Sequence, residues 1–302
     1  MTTRRSFLQL LGAGFVTPFA FQTTKPSSGK ATGAAAKAVQ VFGAFGGTLG
    51  LQLYSLRHQM EKDVPGTLAL VRDWGLTEVE TAGFYGRTAA EFAEELKRAN
   101  LKVTSMHAGY DHLRDNLKQT VSDAKALGAT YVTTAWISHQ PPFKREDATR
   151  AAAHFTEWGR ALKNDGLRFQ YHLHGYEFVT GPKGTLLDTL LETTPADAVH
   201  YEMDVFWVVR GGGDPVAILQ RYKGRFASLH LKDMARGTAT GDLSGTAPDS
   251  TNVPLGTGMI DYRAVLRTAR DSGVRLFYIE DENENVLEQV PQTLAYLGNL
   301  TL

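Results

Sequence analysis

The sequence predicts one α/β barrel of eight strand–helix units. Short β-branched or apolar runs alternate with amphipathic segments from residue 49 to the end of the chain. Such alternation favours parallel strands, because each return crossover is made by a helix. Eight units in residues 48–302 suit a single (β/α)8 barrel domain. A doubly wound open sheet is the alternative, but no GxGxxG turn follows the first predicted strand.

The predicted strands are short, and helical spacing fills the intervals between them. Strands are predicted at 49–56, 77–81, 102–107, 130–137, 168–174, 199–206, 226–231 and 275–280. Between them apolar residues recur at three- to four-residue spacing, for example at Phe155, Trp158 and Leu162, which is typical of one buried helix face. Asp214 followed by Pro215 predicts a helix start with the aspartate as N-cap.

Residues 1–22 have the features of a cleavable export signal. Arg4 and Arg5 precede an apolar run that is too short to span a bilayer comfortably, and the string TRRSFL around them resembles a twin-arginine (Tat) signal. A frayed amphipathic helix is the alternative. Residues 23–47 are rich in Gly, Ala and Ser, which predicts a flexible linker. We therefore expect a periplasmic or otherwise exported protein that engages the Tat machinery and has no stable membrane anchor.

The composition excludes several classes of function. The 302 residues include 32 Lys+Arg and 32 Asp+Glu, so a net charge of zero gives no bulk attraction for nucleic acid or an anionic membrane. Cysteine is absent, which excludes disulfides, thiolate metal sites and a cysteine nucleophile. A small-molecule partner is the remaining expectation, and formation of a homo-oligomer is left open.

Ionisable residues stand where the predicted strands end. In a (β/α)8 barrel the reactive groups lie at the carboxyl ends of the strands, and burying such groups is costly unless they are paired or bind a metal. Seven residues occupy these positions: Glu80, His107, His172, His174, Asp204, His230 and Glu280. Imidazole and carboxylate ligands suit a divalent cation. We predict one ion, with Mn²⁺ or Co²⁺ favoured and Mg²⁺ or Zn²⁺ as alternatives.

The fifth predicted strand carries the densest part of this pattern. Alternation along residues 168–174 points Gln170, His172 and His174 into the barrel. Two histidines can therefore reach one site as ligand or as base, and which of them is the ligand stays open. Glu177, just beyond the strand, is predicted either to bind substrate or to cap a loop.

The next three strands complete the predicted metal set. They end in Asp204, His230 and Glu280, and three such side chains can converge on one ion because neighbouring strands lie about 4.8 Å apart. His172 is the first candidate for the fourth ligand, with His174 as the alternative. Glu280 is also a candidate catalytic residue, as is Glu80, which is either a base or one half of a structural ion pair.

Further residues are candidates for substrate binding. His107 stands at a strand end, and Lys232 faces either the pocket or the solvent. Trp207 and Trp136 also follow strands, where flat aromatic walls suit sugar rings, although core packing is the alternative. Three acidic residues after the last strand are predicted to be solvated and without function: Asp281, Glu282 and Glu284.

Six stretches of the chain together resemble the sugar phosphate isomerase/epimerase family, the xylose isomerase-like barrels that also include endonuclease IV. The stretches are YHLHGYEF at 171–178, EMDVFW at 202–207, GGDP at 212–215, RFASLHLKD at 225–233, VPLGTGMID at 253–261 and FYIE at 277–280. Their order and spacing cover essentially the whole barrel from about residue 48. The Tat-type signal resembles that of an exported subgroup of the family.

The resemblance implies one divalent ion held by a Glu, Asp, His, Glu set from the fifth to the eighth strand. The last three ligands correspond to Asp204, His230 and Glu280, whereas His172 or His174 stands where the epimerases have a glutamate. Arg236 corresponds to an arginine that contacts substrate in ketose epimerases. Epimerases of the family use two glutamates as paired bases, so the missing one points toward the family's dehydratases and lyases, including members that act on 3-keto-glycosides.

These observations predict a metal-dependent carbohydrate isomerase or epimerase that removes a proton next to a sugar carbonyl and stabilises the enediolate. Elimination or hydration on a 3-keto-glycoside at the same site is one alternative, and a non-catalytic periplasmic carbohydrate-binding barrel is another. A nuclease is disfavoured by the balanced charge and the single predicted metal cluster. We expect Glu280→Gln and His230→Ala to abolish metal content and activity while the fold survives.

Overall fold

The computed structural model describes residues 28–181 and 184–302, and it contains a closed barrel of eight parallel strands. The strands are β1 Thr48–Gln52, β2 Glu78–Thr81, β3 Lys102–His107, β4 Tyr131–Thr134, β5 Arg168–His172, β6 Val199–Asp204, β7 Phe226–Leu231 and β8 Leu276–Ile279. Leu51 of β1 pairs with Val79 of β2 on one side and with Ile279 of β8 on the other, which closes the barrel. The predicted fold class is confirmed.

Helices surround the barrel and fill the connections between strands. They are α1 Ser28–Gly43, α2 Arg57–Met60, α3 Val64–Asp73, α4 Ala89–Arg98, α5 Tyr110–Leu127, α6 Arg145–Asn164, α7 Leu186–Thr193, α8 Val205–Arg210, α9 Pro215–Arg221, α10 Tyr262–Asp271 and α11 Val286–Gly298. Asp214 caps α9 by accepting the backbone N–H groups of Val216 and Ala217, as predicted. In the described part of the chain, no helix combines the length and apolarity needed to cross a membrane.

In strand β5, apolar side chains that pack on a helix alternate with polar side chains that face the barrel interior. Phe169 and Tyr171 point outward, and their ring centroids lie 5.1 and 4.8 Å from that of Phe155 on α6. Burial of side chains of this kind contributes about 2–3 kcal/mol each. Gln170 and His172 are also buried but belong to a polar layer inside the barrel. The outward face thus fixes β5 against its helix, and the inward face is left for polar groups.

Four of the predicted strands end two or more residues earlier than expected, and the residues beyond them form short helices and loops. β1, β4, β5 and β6 end at Gln52, Thr134, His172 and Asp204. After β6 the apolar residues begin α8, and Asp204 accepts the backbone N–H of Trp207 at 3.0 Å as its N-cap. Such apolar residues are buried without being part of a strand, a difference that apolarity alone does not reveal.

The predicted flexible linker at 23–47 is wrong over much of its length, because it includes helix α1. Ala35, Ala38 and Phe42 are fully buried, and α1 packs against α11. A Cβ added to Gly298 of α11 would lie 2.9 Å from the backbone oxygen of Ala34, so the two helices approach closely. Small residues are typical of linkers, but they also allow helices to pack tightly. The predicted signal at 1–22 lies outside the described residues.

Candidate active site

A cavity of about 440 Å³ lies at the carboxyl ends of the barrel strands. Among the residues that line it are His107, His172, His174 and Glu280, which the sequence predicts at strand ends. Trp207, another predicted site residue, also lines the cavity. Ligand cavities in proteins have volumes of roughly 300–1,000 Å³, so this one can hold a small molecule.

Four side chains from successive strands converge at this cavity, and we call them the cavity cluster: His172, Asp204, His230 and Glu280. His230 Nδ1 lies 3.1 Å from His172 Nε2 and 2.9 Å from Glu280 Oε2. Asp204 Oδ2 lies 3.6 Å from His172 Nε2 and 3.9 Å from His230 Nδ1. One possible ligand atom from each residue falls within 4.8 Å of the others, so the structure brings the predicted metal set together.

The donor atoms of the cavity cluster fit a divalent cation. In a tetrahedral site with bonds of about 2.0–2.1 Å, neighbouring donor atoms lie about 3.3 Å apart, close to the spacings found here. Asp204 Oδ2 and His172 Nδ1 are buried, and neither has a hydrogen-bond partner among the described residues. Because buried polar atoms are normally satisfied, the unsatisfied Asp204 Oδ2 fits a carboxylate that would bind a cation.

Burial and neighbouring charges shift the pKa values of these groups in opposite directions. Burial, assisted by the charge of His230, lowers the pKa of His172 to about 3, so its ring is neutral. Burial raises the pKa of Asp204 to about 7 despite the opposing charge of Lys232. Burial would also raise the pKa of Glu280, but Lys232 and His230 outweigh it and hold that pKa well below its usual range. A neutral imidazole beside an ionised carboxylate is what a cation needs as ligands.

Three further residues surround the other side of His230, and we call them the lower cluster: Glu80 and Glu202, which lie beneath the cavity, and His107, which also lines it. His230 Nε2 lies 2.6 Å from Glu80 Oε2 and 3.2 Å from Glu202 Oε2. His107 Nε2 lies 3.1 and 3.3 Å from the same two oxygens. Burial would lower the pKa of His107, but Glu80 and Glu202 outweigh it and raise that pKa to about 9. The two carboxylates therefore face two imidazole rings that can both carry charge.

The lower cluster changes the interpretation of Glu80. This residue is fully buried and is not among the residues that line the cavity, so a role as a base in contact with substrate does not fit its position. Gln52 donates to Glu80 at 2.7 Å, and Glu80 contacts the ring of His230 on the side away from Asp204. A metal-binding histidine usually donates its second N–H to a carboxylate or carbonyl, which fixes its tautomer. Glu80 is placed to do this for His230.

The two histidines around the end of β5 occupy different positions. His172 belongs to the cavity cluster, whereas His174 lies beside it and stacks on Trp207, with ring centroids 5.1 Å apart and planes 22° apart. Burial, followed by the charge of His172, lowers the pKa of His174 well below its usual range, and its buried Nδ1 finds no hydrogen-bond partner in the described part of the chain. The structure thus places His172 at the predicted ligand position and leaves His174 as a neutral ring on the cavity wall.

Two candidate substrate contacts, Glu177 and Arg236, lie outside the cavity lining. Glu177 is fully buried, accepts hydrogen bonds from the Tyr171 hydroxyl and from the backbone N–H of His174 at 2.9 Å, and does not line the cavity. It holds the loop that carries His174, which is the capping alternative. Arg236 is exposed on the loop after β7 and is not part of the cavity wall. Both positions lie in loops, where sequence spacing does not determine side-chain direction.

The acidic segment after β8 is not simply solvated, which corrects another prediction. Glu282 lines the cavity and forms an ion pair with Lys232, while Asp281 is buried. Lys232 is only 1% exposed, with its Nζ 3.7 Å from Glu280 Oε2 and 5.2 Å from the centroid of the Trp207 ring. Lys232 thus lies behind the cavity wall rather than in solvent.

Sequence reasoning missed several site residues, and two of them had a recognisable signal. Glu202 lies on β6 two residues before Asp204, so alternation places both side chains on the inward face. Gln52 at the end of β1 had the signal of a polar residue at a strand end. Tyr54 lines the cavity from the turn after β1, and no pattern in the sequence distinguished it.

Residues 68–300 match the xylose isomerase-like TIM barrel family. The chain belongs to this family. An inosose dehydratase from Lacticaseibacillus casei is 29% identical over 169 residues, which are 49% of this chain and 55% of that protein. The chain therefore spans about half the length of this relative.

Solved structures show the same fold. A sugar phosphate isomerase/epimerase from Parabacteroides distasonis superposes with a TM-score of 0.70 at 24% identity, covering 84% of this chain and 94% of that one. The IolI protein with a bound zinc atom superposes with a TM-score of 0.62 at 16% identity, covering 83% of this chain and 95% of that one. The family inferred from the six sequence stretches is thus confirmed.

Proposed function

We propose that this chain is a divalent-metal-dependent enzyme that removes a proton next to the carbonyl of a sugar or a similar polyol. The observation that carries the proposal is the cavity cluster, in which four ligand-type side chains from successive strands meet at a cavity sized for a small molecule. The names of the similar proteins support it, since they include a sugar phosphate isomerase/epimerase and an inosose dehydratase.

The metal would be held by His172, Asp204, His230 and Glu280. When bound, a divalent ion supplies a Lewis acid that polarises a carbonyl and stabilises negative charge on its oxygen. The zinc atom in the IolI structure supports a metal in this fold, while the oxygen-rich half of the donor set also suits Mn²⁺ or Co²⁺. Glu80 and Glu202 keep the ring of His230 in place from below.

We assign proton transfer to and from the substrate to residues of the cavity wall that are not proposed metal ligands. His174 lines the cavity with a neutral ring, which is the form of imidazole that can accept a proton. His107 lines the cavity from the end of β3, two strands away from β5, and Glu80 and Glu202 hold it as a cation, which makes it a proton donor. Trp207 is largely buried and holds the ring of His174 in place by stacking on it.

Return of the proton to carbon gives isomerisation or epimerisation. Elimination is the second candidate, and it is favoured by His172 at the position where the family's epimerases have a glutamate and by the relative named inosose dehydratase. In that reaction the base takes the α-proton, the C–H electron pair becomes the new double bond, and the β-substituent leaves with its bonding pair and takes up a proton. The same cavity groups serve both outcomes.

Deuterium exchange tests the proposal. The purified protein is incubated with Mn²⁺ or Co²⁺ and a panel of free ketoses and 3-keto-glucosides in D₂O, and the sugars are analysed after removal of the metal. Uptake of deuterium without bond loss identifies an isomerase or epimerase, and release of the substituent identifies a lyase. A bound but unexchanged sugar would instead support a carbohydrate-binding protein.

Glu280→Gln provides the matched test of the metal. We expect loss of metal measured by mass spectrometry and loss of exchange, because a cluster ligand has lost its charge. Glu284→Gln, an exposed acid four residues along the chain, serves as control and leaves both unchanged. Full metal occupancy in Glu280→Gln would contradict the proposal that Glu280 is a metal ligand.

A further inference from the structure

A second cavity adjoins the first and lies outside the proposed metal site. Its volume is about 390 Å³, and it shares Ala82, His107 and Ala135 with the first cavity. These residues stand at the ends of β2, β3 and β4, whereas the cavity cluster comes from β5 to β8. The site thus consists of two lobes that meet at His107: a first lobe over the cavity cluster and a second lobe over β2–β4.

The second lobe has a rigid aromatic wall. Trp136 lines it and keeps 38% of its surface exposed. The indole is nevertheless held in place, because it stacks on His139 at 5.3 Å with planes 21° apart and meets Tyr176 edge-on at 4.8 Å. An aromatic ring that is fixed by its neighbours and still exposed offers a ready surface for the face of another ring.

Polar groups stand at the edge of the same lobe. Ser138 donates from its hydroxyl to Asp111 at 2.7 Å, and the backbone oxygen of Ser138 accepts from Arg150 at 3.0 Å. Ser138 and Asp111 line the lobe, as does His112. Binding sites combine such apolar surfaces with a few fixed polar groups that set the orientation of the ligand. An aromatic platform edged by hydroxyl and carboxylate groups suits a ring that carries hydroxyls.

The volume of the first lobe indicates that the second lobe is not needed to hold the reacting ring. The first lobe alone falls within the range of ligand cavities, so it is sufficient for the ring whose carbonyl meets the cavity cluster. A substrate of one ring would leave Trp136 and the second lobe unused. We infer, resting on the proposed function, that the substrate has two linked rings: a reacting sugar ring in the first lobe and a second ring that packs on Trp136 beyond His107.

Binding of unoxidised ligands tests this inference without requiring turnover. Glucose, cellobiose and phenyl β-glucoside are titrated into the purified protein by calorimetry. We expect at least one of the two-ring ligands to bind about tenfold more tightly than glucose, since a ring packed on an aromatic side chain contributes on that scale. A preference for cellobiose identifies a sugar as the second ring, and a preference for phenyl β-glucoside identifies an aromatic group.

Two variants locate the preference in the second lobe. Trp136→Ala is expected to reduce the ratio of two-ring to one-ring affinity to about one, while Trp136→Phe retains most of it. Ala108→Leu fills the second lobe without removing the indole, and it is also expected to reduce the ratio of two-ring to one-ring affinity to about one. Leu243→Ala is the matched control, because Leu243 is equally exposed at 38% but is absent from the lining of both lobes.

Equal binding of one-ring and two-ring ligands by the wild type would overturn the inference, as would no measurable binding of any of them at millimolar concentration. A full preference that persists in Ala108→Leu, with circular dichroism showing a folded variant, would also overturn it. The proposed function is tested separately by deuterium exchange into a free ketose. Exchange without a two-ring preference therefore rejects the second lobe alone, and a preference without exchange rejects the chemistry alone.

Discussion

His230 lies between the cavity cluster and the lower cluster, which contain the same residue types. The two clusters differ in the hydrogen-bond partners of their carboxylates. On its Nδ1 side the cavity cluster reaches the open cavity, and Asp204 Oδ2 has no hydrogen-bond partner within residues 28–181 and 184–302. On its Nε2 side the two carboxylates of the lower cluster are held by protein donors: Ser228 donates to Glu202 at 2.6 Å, and Gln52 donates to Glu80 at 2.7 Å.

The comparison shows that residue type alone does not define a metal site. Both groups offer ligand atoms within 4.8 Å of one another. In the lower cluster most of these atoms already have protein partners, with Glu80 Oε1 as the exception. We therefore assign binding of the ion to the cavity cluster and positioning of His230 to the lower cluster. Substitutions on the two sides of His230 separate these roles, and the largest expected effect on stability comes from replacing His230 itself.

His230→Ala removes the residue that both clusters share. We expect loss of the metal and a fall of about 3–5 kcal/mol in the free energy of unfolding, because Glu80, Glu202 and Glu280 lose a buried partner of opposite charge. From the sequence we expect the fold to survive this change, and the structure adds that the folded protein should be less stable. Metal analysis and urea denaturation measure both effects, with the exposed His58→Ala as control. Retention of the metal would contradict the shared role.

Glu202→Gln weakens only the lower cluster. We expect the free energy of unfolding to fall by about 2–3 kcal/mol, since the charge that faces His107 and His230 is lost inside the barrel. The protein should still bind one equivalent of metal, because Glu202 is not in the cavity cluster. Urea denaturation and metal analysis are the measurements. Loss of metal with unchanged stability would show that Glu202 belongs to the ion site.

Glu177 extends the comparison to a buried carboxylate whose partners are a tyrosine hydroxyl and a backbone N–H. Burial raises its pKa from 4.5 to about 7, so the folded protein binds this proton more tightly than the unfolded chain does. Its contribution to stability is complete below the unfolded pKa and is lost as the pH rises toward the folded pKa. The carboxylates beside the histidines, with lowered pKa values, have the opposite sign.

We therefore expect the wild type to lose stability relative to Glu177→Gln between about pH 5 and about pH 8, by an amount of the order of 2 kcal/mol. Urea denaturation of both proteins at the two pH values measures the difference. A parallel pH dependence in the two proteins would show that the Glu177 carboxyl does not titrate in this range.

Asp204→Asn is the counterpart of Glu202→Gln on the other side of His230. Asparagine keeps the shape of the residue and the N-cap bond to Trp207, so stability should change by less than about 1 kcal/mol. The metal should be lost, because an anionic ligand of the cavity cluster becomes neutral. Metal analysis measures the loss of the ion, and urea denaturation measures the change in stability. Full occupancy by metal would place the ion elsewhere.

The barrel and the convergence of the cavity cluster were predictable because both follow from local periodicity. Alternation along β5 predicted that His172 faces inward, and the barrel rule predicted that the ends of β6, β7 and β8 lie together. The roles assigned to these residues remain predictions. Loop residues were less predictable: Glu177 turned inward to a backbone N–H, and Glu282 lines the cavity instead of facing solvent.

Strand spacing and alternation act over a few residues, so the barrel, the family and the four strand-end residues of the cavity cluster could be predicted from the chain alone. Three features became visible only in the folded protein: Glu80 supports His230 from below, Lys232 is buried behind Glu280, and a second lobe opens at His107. The small residues of α1 could suit a linker or a close helix contact, and only packing against α11 decided between them. Such outcomes depend on contacts between residues far apart in the chain, which no local pattern encodes.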